Sequence, residues 1–276
     1  MTCDWRLIDM TSQLSRSIAR ASRAEDRCNR MARLQAMTVA ELAEALGGDP
    51  ASAAPWVQAA AACGIAAAQV QLGRMLLDGA GVPEDKLMAL RWFAKAARSS
   101  GVESKIRGEA QNMVGRCHEL GWGTAIDLIA AGDWYQRAAG LGDSWGMYNL
   151  ANMLFDGRGV AQDRSAAIAH YERAARLGHA RAMNLLGRCL EEGWGAPRDA
   201  AAAALWYCRS AEGGYFRGAY NHGIELLRQG RRAAATAMFE RACAQADAPL
   251  REHIRILAET GHSVVVKQIA SNPWAD

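Results

Sequence analysis

The chain of 276 residues lacks the long apolar runs and the aromatic content that mark several large protein classes. Aromatic residues make up only 7% of it, and its longest mild apolar stretch, residues 57–72, is mostly alanine interrupted by three glutamines. A membrane-spanning helix needs about 20 apolar residues, so we expect no transmembrane span. Charged residues make up 22%, which is close to an ordinary folded domain and argues against wholesale disorder.

An excess of charge is found only at the N-terminus. Residues 1–36 carry seven arginines against four acidic residues, a net charge of +3, which is also the net charge of the whole chain. Residues 37–276 are therefore neutral, which argues against a nucleic-acid channel, and we expect no nucleic-acid partner. The basic segment favours a cap helix with a solvated face. An arm that binds an acidic partner or a membrane surface is the alternative.

The seven cysteines contain no CxxC pair, and their number is odd. Wide spacing without pairs is typical of reduced thiols, so we expect a cytoplasmic protein. The first residues include acidic side chains where a secretion signal needs an apolar stretch, so no signal peptide is predicted.

Alanine is abundant, with 57 residues, and it is the best helix former, so the first expectation is an all-α protein. Landmarks then recur about every 36 residues: a glycine pair, an aspartate, an aromatic pair and a pair of small residues. The glycine pairs begin at Gly79, Gly121, Gly157 and Gly193, and the aspartates are Asp85, Asp127, Asp163 and Asp199. This pattern predicts helix hairpins, in which glycine ends the first helix and aspartate caps the second.

The aromatic pairs are Trp92-Phe93, Trp134-Tyr135, His170-Tyr171 and Trp206-Tyr207. We expect one ring of each pair to pack on the first helix, and specifically Trp134 and Trp206 to fill their hairpins. The small pair that follows is expected to face the next hairpin. A single hairpin cannot bury its apolar face alone, whereas stacked copies bury a continuous core.

The combined landmarks resemble the Sel1-like repeat, a relative of the tetratricopeptide repeat. The resemblance rests on residues 68–97 and 182–214 and extends over roughly residues 56–247. It implies a right-handed α-solenoid that acts as a non-catalytic adaptor or scaffold for a protein or peptide partner. The expected organisation is a basic cap or arm (1–36), a degenerate repeat (37–65), five full copies (66–101, 102–142, 143–178, 179–214 and 215–247), and a closing helix with a tail (248–276).

The resemblance also implies where a partner binds, because the first helix of each tetratricopeptide hairpin lines the concave groove. The groove-facing candidates are Arg74, Asn112, Arg116, Trp145, Tyr148, Asn152, Phe155, Arg181, Asn184, Arg188, Arg217 and Tyr220. Rows of arginine and asparagine with aromatic anchors predict a groove for an extended, acidic peptide, centred on the third and fourth copies. In the alternative, Arg116 and Arg188 pair with Glu119 and Glu191 on their own helices, and the aromatic rings are buried between copies.

Motifs of catalysis are missing. The sequence contains no P-loop, no HExxH and no GxSxG, and its six histidines share no repeat position. We therefore expect no catalytic residue, no cofactor and no metal. Cysteine-rich relatives described as penicillin-binding hydrolases or β-lactamases imply one alternative, with Cys189 and Cys208 as a conceivable disulfide. An immunity-type or regulatory inhibitor of a single enzyme is another.

Overall fold

The computed structural model describes Asn29, residues 49–246 and residues 248–260. Every regular element in these residues is an α-helix, which confirms the all-α prediction. The helices are α1 (Pro50–Ala62), α2 (Ala66–Asp78), α3 (Lys86–Arg98), α4 (Ser104–Leu120), α5 (Leu128–Gly140), α6 (Ser144–Asp156), α7 (Arg164–Arg176), α8 (Ala180–Glu192), α9 (Ala200–Glu212), α10 (Phe216–Arg228), α11 (Arg232–Cys243) and α12 (Ala248–Thr260). The expectations for the basic N-terminal segment and for the tail lie outside the described residues.

The described residues fall into two compact units, which divide at residues 110 and 111, with residues 122–124 belonging to the first unit and residues 111–121 and those from 125 onward to the second. In the first unit, Val57 of α1 and Leu72 of α2 share a buried apolar cluster with Trp92 of α3 packed against it. In the second unit, one buried cluster runs through consecutive copies, and its members include Tyr135, Leu150, Met153, Tyr171 and Leu186. The apolar face of one hairpin is thus covered by its neighbours, as a stacked repeat requires.

Glycine and aspartate end and begin the helices as predicted. Gly79, Gly157 and Gly193 end their helices in the left-handed conformation, with φ of 66°, 73° and 76°. Each of four aspartates accepts a hydrogen bond at 2.9 Å from the backbone N–H three residues later, namely Asp85, Asp127, Asp163 and Asp199. These local signals produce the tight turns that bring the two helices of a hairpin side by side.

A buried ring fills each hairpin where a small residue lies on its first helix. A Cβ added to the glycine of the first helix would lie within 3.0 Å of the facing ring in four copies, at Gly73–Phe93, Gly115–Tyr135, Gly187–Tyr207 and Gly223–Phe239. In the third copy the small residue is Ala151, which is fully buried in the same cluster as Tyr171. The absence of a longer side chain therefore allows the two helices to approach closely.

The expectation that Trp134 and Trp206 fill their hairpins is wrong. Both indoles are only partly buried, and each lies beneath an arginine of its own helix, with Arg137 at 4.8 Å and Arg209 at 4.9 Å from the ring centroid. The neighbouring rings, Tyr135 and Tyr207, are buried instead. Successive helical residues point about 100° apart, so only one ring of each pair can face the first helix.

The step from the glycine pair at Gly79 to that at Gly121 is 42 residues, six more than the later steps, and four of the added residues extend the first helix of the second copy. Helix α4 has 17 residues, whereas the first helices α6 and α8 of the next two copies have 13. The other two added residues lengthen the loop between α3 and α4. At the other end, α12 occupies the position predicted for a closing helix.

Candidate protein-binding site

Two of the predicted groove residues, Asn112 and Asn184, are buried and hydrogen-bonded to the following copy. They are 5% and 3% exposed. The Oδ1 atom of Asn112 accepts from Asn149 Nδ2 at 2.8 Å, and that of Asn184 accepts from Asn221 Nδ2 at 2.7 Å. These bonds join α4 to α6 and α8 to α10, so the asparagines hold adjacent first helices together and do not contribute to an exposed surface.

Carboxylates of the second and fourth copies make a second kind of connection. Glu119 accepts hydrogen bonds from Tyr135 Oη at 2.6 Å and from Arg158 at 3.0 Å. Its equivalent, Glu191, accepts from Tyr207 Oη at 2.7 Å and from Arg228 at 2.7 Å. In both cases the tyrosine belongs to the same hairpin and the arginine to the next copy. We call each of these groups a carboxylate clasp.

The environment of the clasps changes the ionisation of Glu191, Tyr135 and Tyr207. Burial opposes the charge on Glu191, but the hydrogen bonds from Arg228 and Tyr207 outweigh it and hold the pKa of the carboxyl below its usual value. Burial and the adjacent carboxylates raise the pKa values of Tyr135 and Tyr207, so both remain phenols that donate. Sequence reasoning did not assign Arg158 and Arg228 to these positions, because they lie 39 and 37 residues from their partners.

The third copy uses aromatic packing at the equivalent position. Phe155 is 6% exposed, and its ring centroid lies 5.7 Å from that of Trp194 in the fourth copy. Arg188 lies over the same indole, at 5.6 Å. Asn152 accepts a hydrogen bond from Tyr171 Oη at 2.7 Å. Phe155 is thus buried between copies, as the alternative interpretation of the sequence expected.

The remaining predicted residues divide between the two units. In the first unit, Arg74 forms an ion pair with Glu109. In the second, Arg116 is half-buried in α4, and its charge opposes the rise in the pKa of the neighbouring Cys117. Tyr220 is half-buried, and its Oη lies 3.0 Å from His253 Nε2 on the closing helix.

A row of rings and arginines lies at the N-terminal ends of α6, α8 and α10, in which Trp145 is exposed and the other members are partly buried. The indole of Trp145 is 46% exposed. The guanidinium carbon of Arg181 lies 5.7 Å from the Trp145 ring centroid and 5.5 Å from that of Tyr215. Phe216 packs against Tyr215 at 5.3 Å, and Arg217 lies 5.5 Å from the Phe216 ring. We call these five residues the aromatic–arginine row. It extends over the third, fourth and fifth copies.

His179 lies against this row and was not among the predicted site residues. It is the N-cap of α8, where its Nδ1 accepts from the Ala182 N–H at 3.1 Å. Its ring is edge-to-face with Trp145 at 4.4 Å and stacked on Tyr148 at 4.8 Å. Burial, with help from the charge of Arg181, lowers the pKa of His179 to about 4. The available signal was its register, since Asp143 caps α6 one repeat earlier.

Other chemistry is sparse in the part of the chain that the structure describes. No group of three or more histidine, cysteine, aspartate or glutamate side chains there can hold a metal ion. Cys189 and Cys208 are both free thiols. Burial raises the pKa values of Cys117 and Cys189 to about 12, so these thiols stay protonated. None of the described helices combines the length and apolarity needed to cross a membrane.

The structure consists of repeated helix hairpins joined by side-chain contacts, and the aromatic–arginine row lies along their first helices. This arrangement defines a helical-repeat protein of the solenoid class. The family model of the Sel1 repeat matches residues 66–100, 108–143, 146–179 and 180–215, together just over half of the chain. The chain therefore belongs to the Sel1 repeat family. Proteins built from these repeats generally serve as non-catalytic scaffolds for protein–protein interaction.

Solved structures of repeat proteins resemble this fold. A Sel1 repeat protein from Oxalobacter formigenes is 26% identical, with a TM-score of 0.62 over 72% of this chain and 78% of that one. A Sel1 repeat protein from Klebsiella pneumoniae subsp. pneumoniae is 21% identical, with a TM-score of 0.50 over 76% and 99% of the two chains. The immunity protein Pa5087 from Pseudomonas aeruginosa is 19% identical, with a TM-score of 0.47 over 80% and 79%, too distant to carry an argument. No curated protein matches the sequence.

Proposed function

We propose that this protein is a non-catalytic adaptor that binds an acidic segment of a partner protein at the aromatic–arginine row. The single observation that carries the proposal is the pairing of an exposed indole, Trp145, with the guanidinium of Arg181 on the first helices. Tryptophan, tyrosine and arginine are the residues most often responsible for binding energy at protein interfaces. Their concentration over three consecutive copies supports a docking surface there.

Charge favours an acidic partner. The row contains two arginines, Arg181 and Arg217, and no carboxylate. Arginine presents several N–H donors in one plane, which suits a carboxylate, and stacking on a ring restricts its motion. An acidic segment would therefore gain charge-assisted hydrogen bonds as well as ring contacts.

The other predicted residues contribute differently to this proposal. The buried Asn112, Asn184 and Phe155 would act by holding copies in place, since each is less than a tenth exposed. The binding surface is therefore narrower than the groove expected from the sequence, and it is centred nearer the third to fifth copies. Burial keeps the thiols of Cys117 and Cys189 protonated, so neither supplies the thiolate that a cysteine nucleophile needs.

Site-specific photocrosslinking tests this assignment. A photoreactive aromatic amino acid, whose ring takes the place of the indole, is put at position 145 in the full chain. The matched control has it at position 205 on α9, because Leu205 is 50% exposed against 46% for Trp145. We expect crosslinked partner proteins at position 145 and none at position 205. Equal capture at both positions would contradict the proposal. A single stoichiometric partner would favour an inhibitor of one enzyme, and several partners an adaptor.

The affinity of the captured partner then identifies the contributing side chains. Trp145→Ala and Arg181→Gln are expected to weaken binding about tenfold or more. Arg209→Gln is the matched control, because Arg209 also lies over an indole but on a second helix. If all three variants weaken binding equally, the aromatic–arginine row is not the binding surface.

A further inference from the structure

One nitrogen of His179 is buried without a hydrogen-bond partner. Because Nδ1 accepts the N–H of Ala182, the proton of the neutral ring is on Nε2, which makes Nε2–H a donor. The side chain is 7% exposed, and Nε2 has no partner in the structure. Buried polar groups are nearly always hydrogen-bonded. Other buried atoms of the described residues also have no partner, but this donor lies against the ring of Trp145, where a ligand could supply its acceptor.

The surroundings of this donor favour an anion. Arg181 lies two residues further along α8, over Trp145, and its positive charge acts on His179. The other two neighbours of the imidazole are rings, Trp145 and Tyr148. A neutral donor, a guanidinium and two apolar rings provide hydrogen bonds and charge for an acceptor that carries a negative charge, and they exclude water from around it.

We propose that the Nε2–H of His179 and the guanidinium of Arg181 form a carboxylate-binding subsite at Trp145, which receives an Asp or Glu side chain or the C-terminal carboxylate of the partner. This inference rests on the proposed function and specifies the chemistry of the docking segment. Nε2 is enclosed, so a neighbouring side chain has to move before a carboxylate reaches it. Trp145 is the exposed neighbour, and its movement breaks the edge-to-face contacts with His179 and Tyr148 and changes the one with Arg181.

Labelled decapeptides distinguish the two sources of the carboxylate. The probes are a library of peptides rich in Asp and Glu and its exact counterpart rich in Asn and Gln, each made with a free and with an amidated C-terminus. We expect the wild-type chain to bind carboxylate-bearing peptides about tenfold more tightly than peptides with neither kind of carboxylate. If the chain prefers Asp and Glu peptides among those with amidated ends, the subsite binds a side-chain carboxylate. If it prefers free over amidated ends among the Asn and Gln peptides, the subsite binds a C-terminal carboxylate.

Two variants connect that preference to the subsite. His179→Asn keeps a side-chain oxygen for the cap of α8 and removes the ring donor, and Arg181→Gln removes the charge. Both are expected to reduce the preference to less than twofold, whereas Arg209→Gln keeps it at about tenfold. Imidazole ¹⁵N–¹H spectra of the wild-type chain should show the Nε2–H proton of His179 move downfield when the best carboxylate peptide is added.

The proposal is overturned if wild-type protein shows no preference for carboxylates, or if His179→Asn retains the full preference while melting as the wild type does. An unmoved Nε2–H signal at saturating peptide also overturns it. Crosslinking at position 145 to a partner whose binding does not depend on His179 would leave the docking surface in place and remove only the subsite. Failure of the subsite and failure of the proposed function are therefore separate results.

Discussion

The second and fourth copies differ from the third in the way each is joined to the copy that follows. In the second and fourth, Glu119 and Glu191 form carboxylate clasps, and Asn112 and Asn184 bind an asparagine of the next first helix. In the third, Phe155 packs on Trp194 instead. The hairpin landmarks are the same in all three. The turn residues therefore define the repeat, whereas the contacts between copies vary from one copy to the next.

The largest effect is expected from the rings inside the hairpins of the second and fourth copies. Tyr135→Ala and Tyr207→Ala should each lower the free energy of unfolding by about 3–5 kcal/mol, because each removes a buried ring and a hydrogen bond to a clasp. Trp134→Ala and Trp206→Ala should cost clearly less, since those indoles are only partly buried. Urea denaturation followed by circular dichroism measures both pairs. The reverse ranking would restore the original assignment of the tryptophans.

The small residue of the first helix is glycine in the fourth copy and alanine in the third, so each can be replaced by the other. Gly187→Ala should destabilise the fourth copy by about 1–3 kcal/mol, because the new Cβ would lie within 3.0 Å of Tyr207. The third copy already has Ala151 at the equivalent position, so Ala151→Gly is the matched control and should cost roughly 1 kcal/mol through loss of helix propensity and packing. Thermal melts of both variants measure the two losses of stability. If Gly187→Ala is neutral, the fit between helix and ring is no tighter in the fourth copy than in the third.

The asparagine contacts should affect stability and leave the binding surface intact. Asn184→Ala leaves the amide of Asn221 without its acceptor, and we expect a loss of about 1–3 kcal/mol. Photocrosslinking at position 145 should be unchanged at temperatures well below the melting point. Loss of crosslinking without loss of stability would place Asn184 back among the residues that contact the partner.

The smallest effect is a pH dependence that the clasp of Glu191 has and the third copy lacks. Because the folded pKa of Glu191 is below its usual value of 4.5, its charged form stabilises the protein above that pH, and this contribution is lost as the pH falls through the folded pKa. Arg228 is half-exposed, so the contribution is at most about 1 kcal/mol. The difference in unfolding free energy between wild type and Glu191→Gln should shrink between pH 5 and pH 3. The difference for Asn152→Ala should stay constant over this range.

The fold could be predicted from the sequence because its signals are local. A glycine in the left-handed conformation and an aspartate that binds an N–H three residues later depend on their own turn, so Gly157 and Asp163 identify a hairpin without reference to the rest of the chain. Their recurrence then supplies the number of copies. Such signals do not depend on the residues of the neighbouring copies.

The site could be predicted only in part, because its contacts join residues about one repeat apart. Whether Asn112 faces solvent or Asn149 depends on the rotation of two helices, and a repeat position alone does not give that rotation. The same uncertainty of helix phase led to Trp134 being assigned the position of Tyr135. The repeat register predicted a groove-facing position for Trp145, and the structure leaves that side chain 46% exposed. His179 was not predicted, because a histidine is an uncommon helix cap.

The stacking of Arg181 between rings of the preceding and following copies has a consequence for how such a protein can change. Trp145, Arg181 and Tyr215 come from three successive hairpins, so the surface exists only while those three stay in order. Deleting the fourth hairpin keeps the turns and interior rings of the remaining copies, yet it removes the guanidinium that lies between the two rings. Exchange of whole hairpins would thus change the proposed binding surface and the contacts between copies together, while each remaining hairpin keeps its own turn.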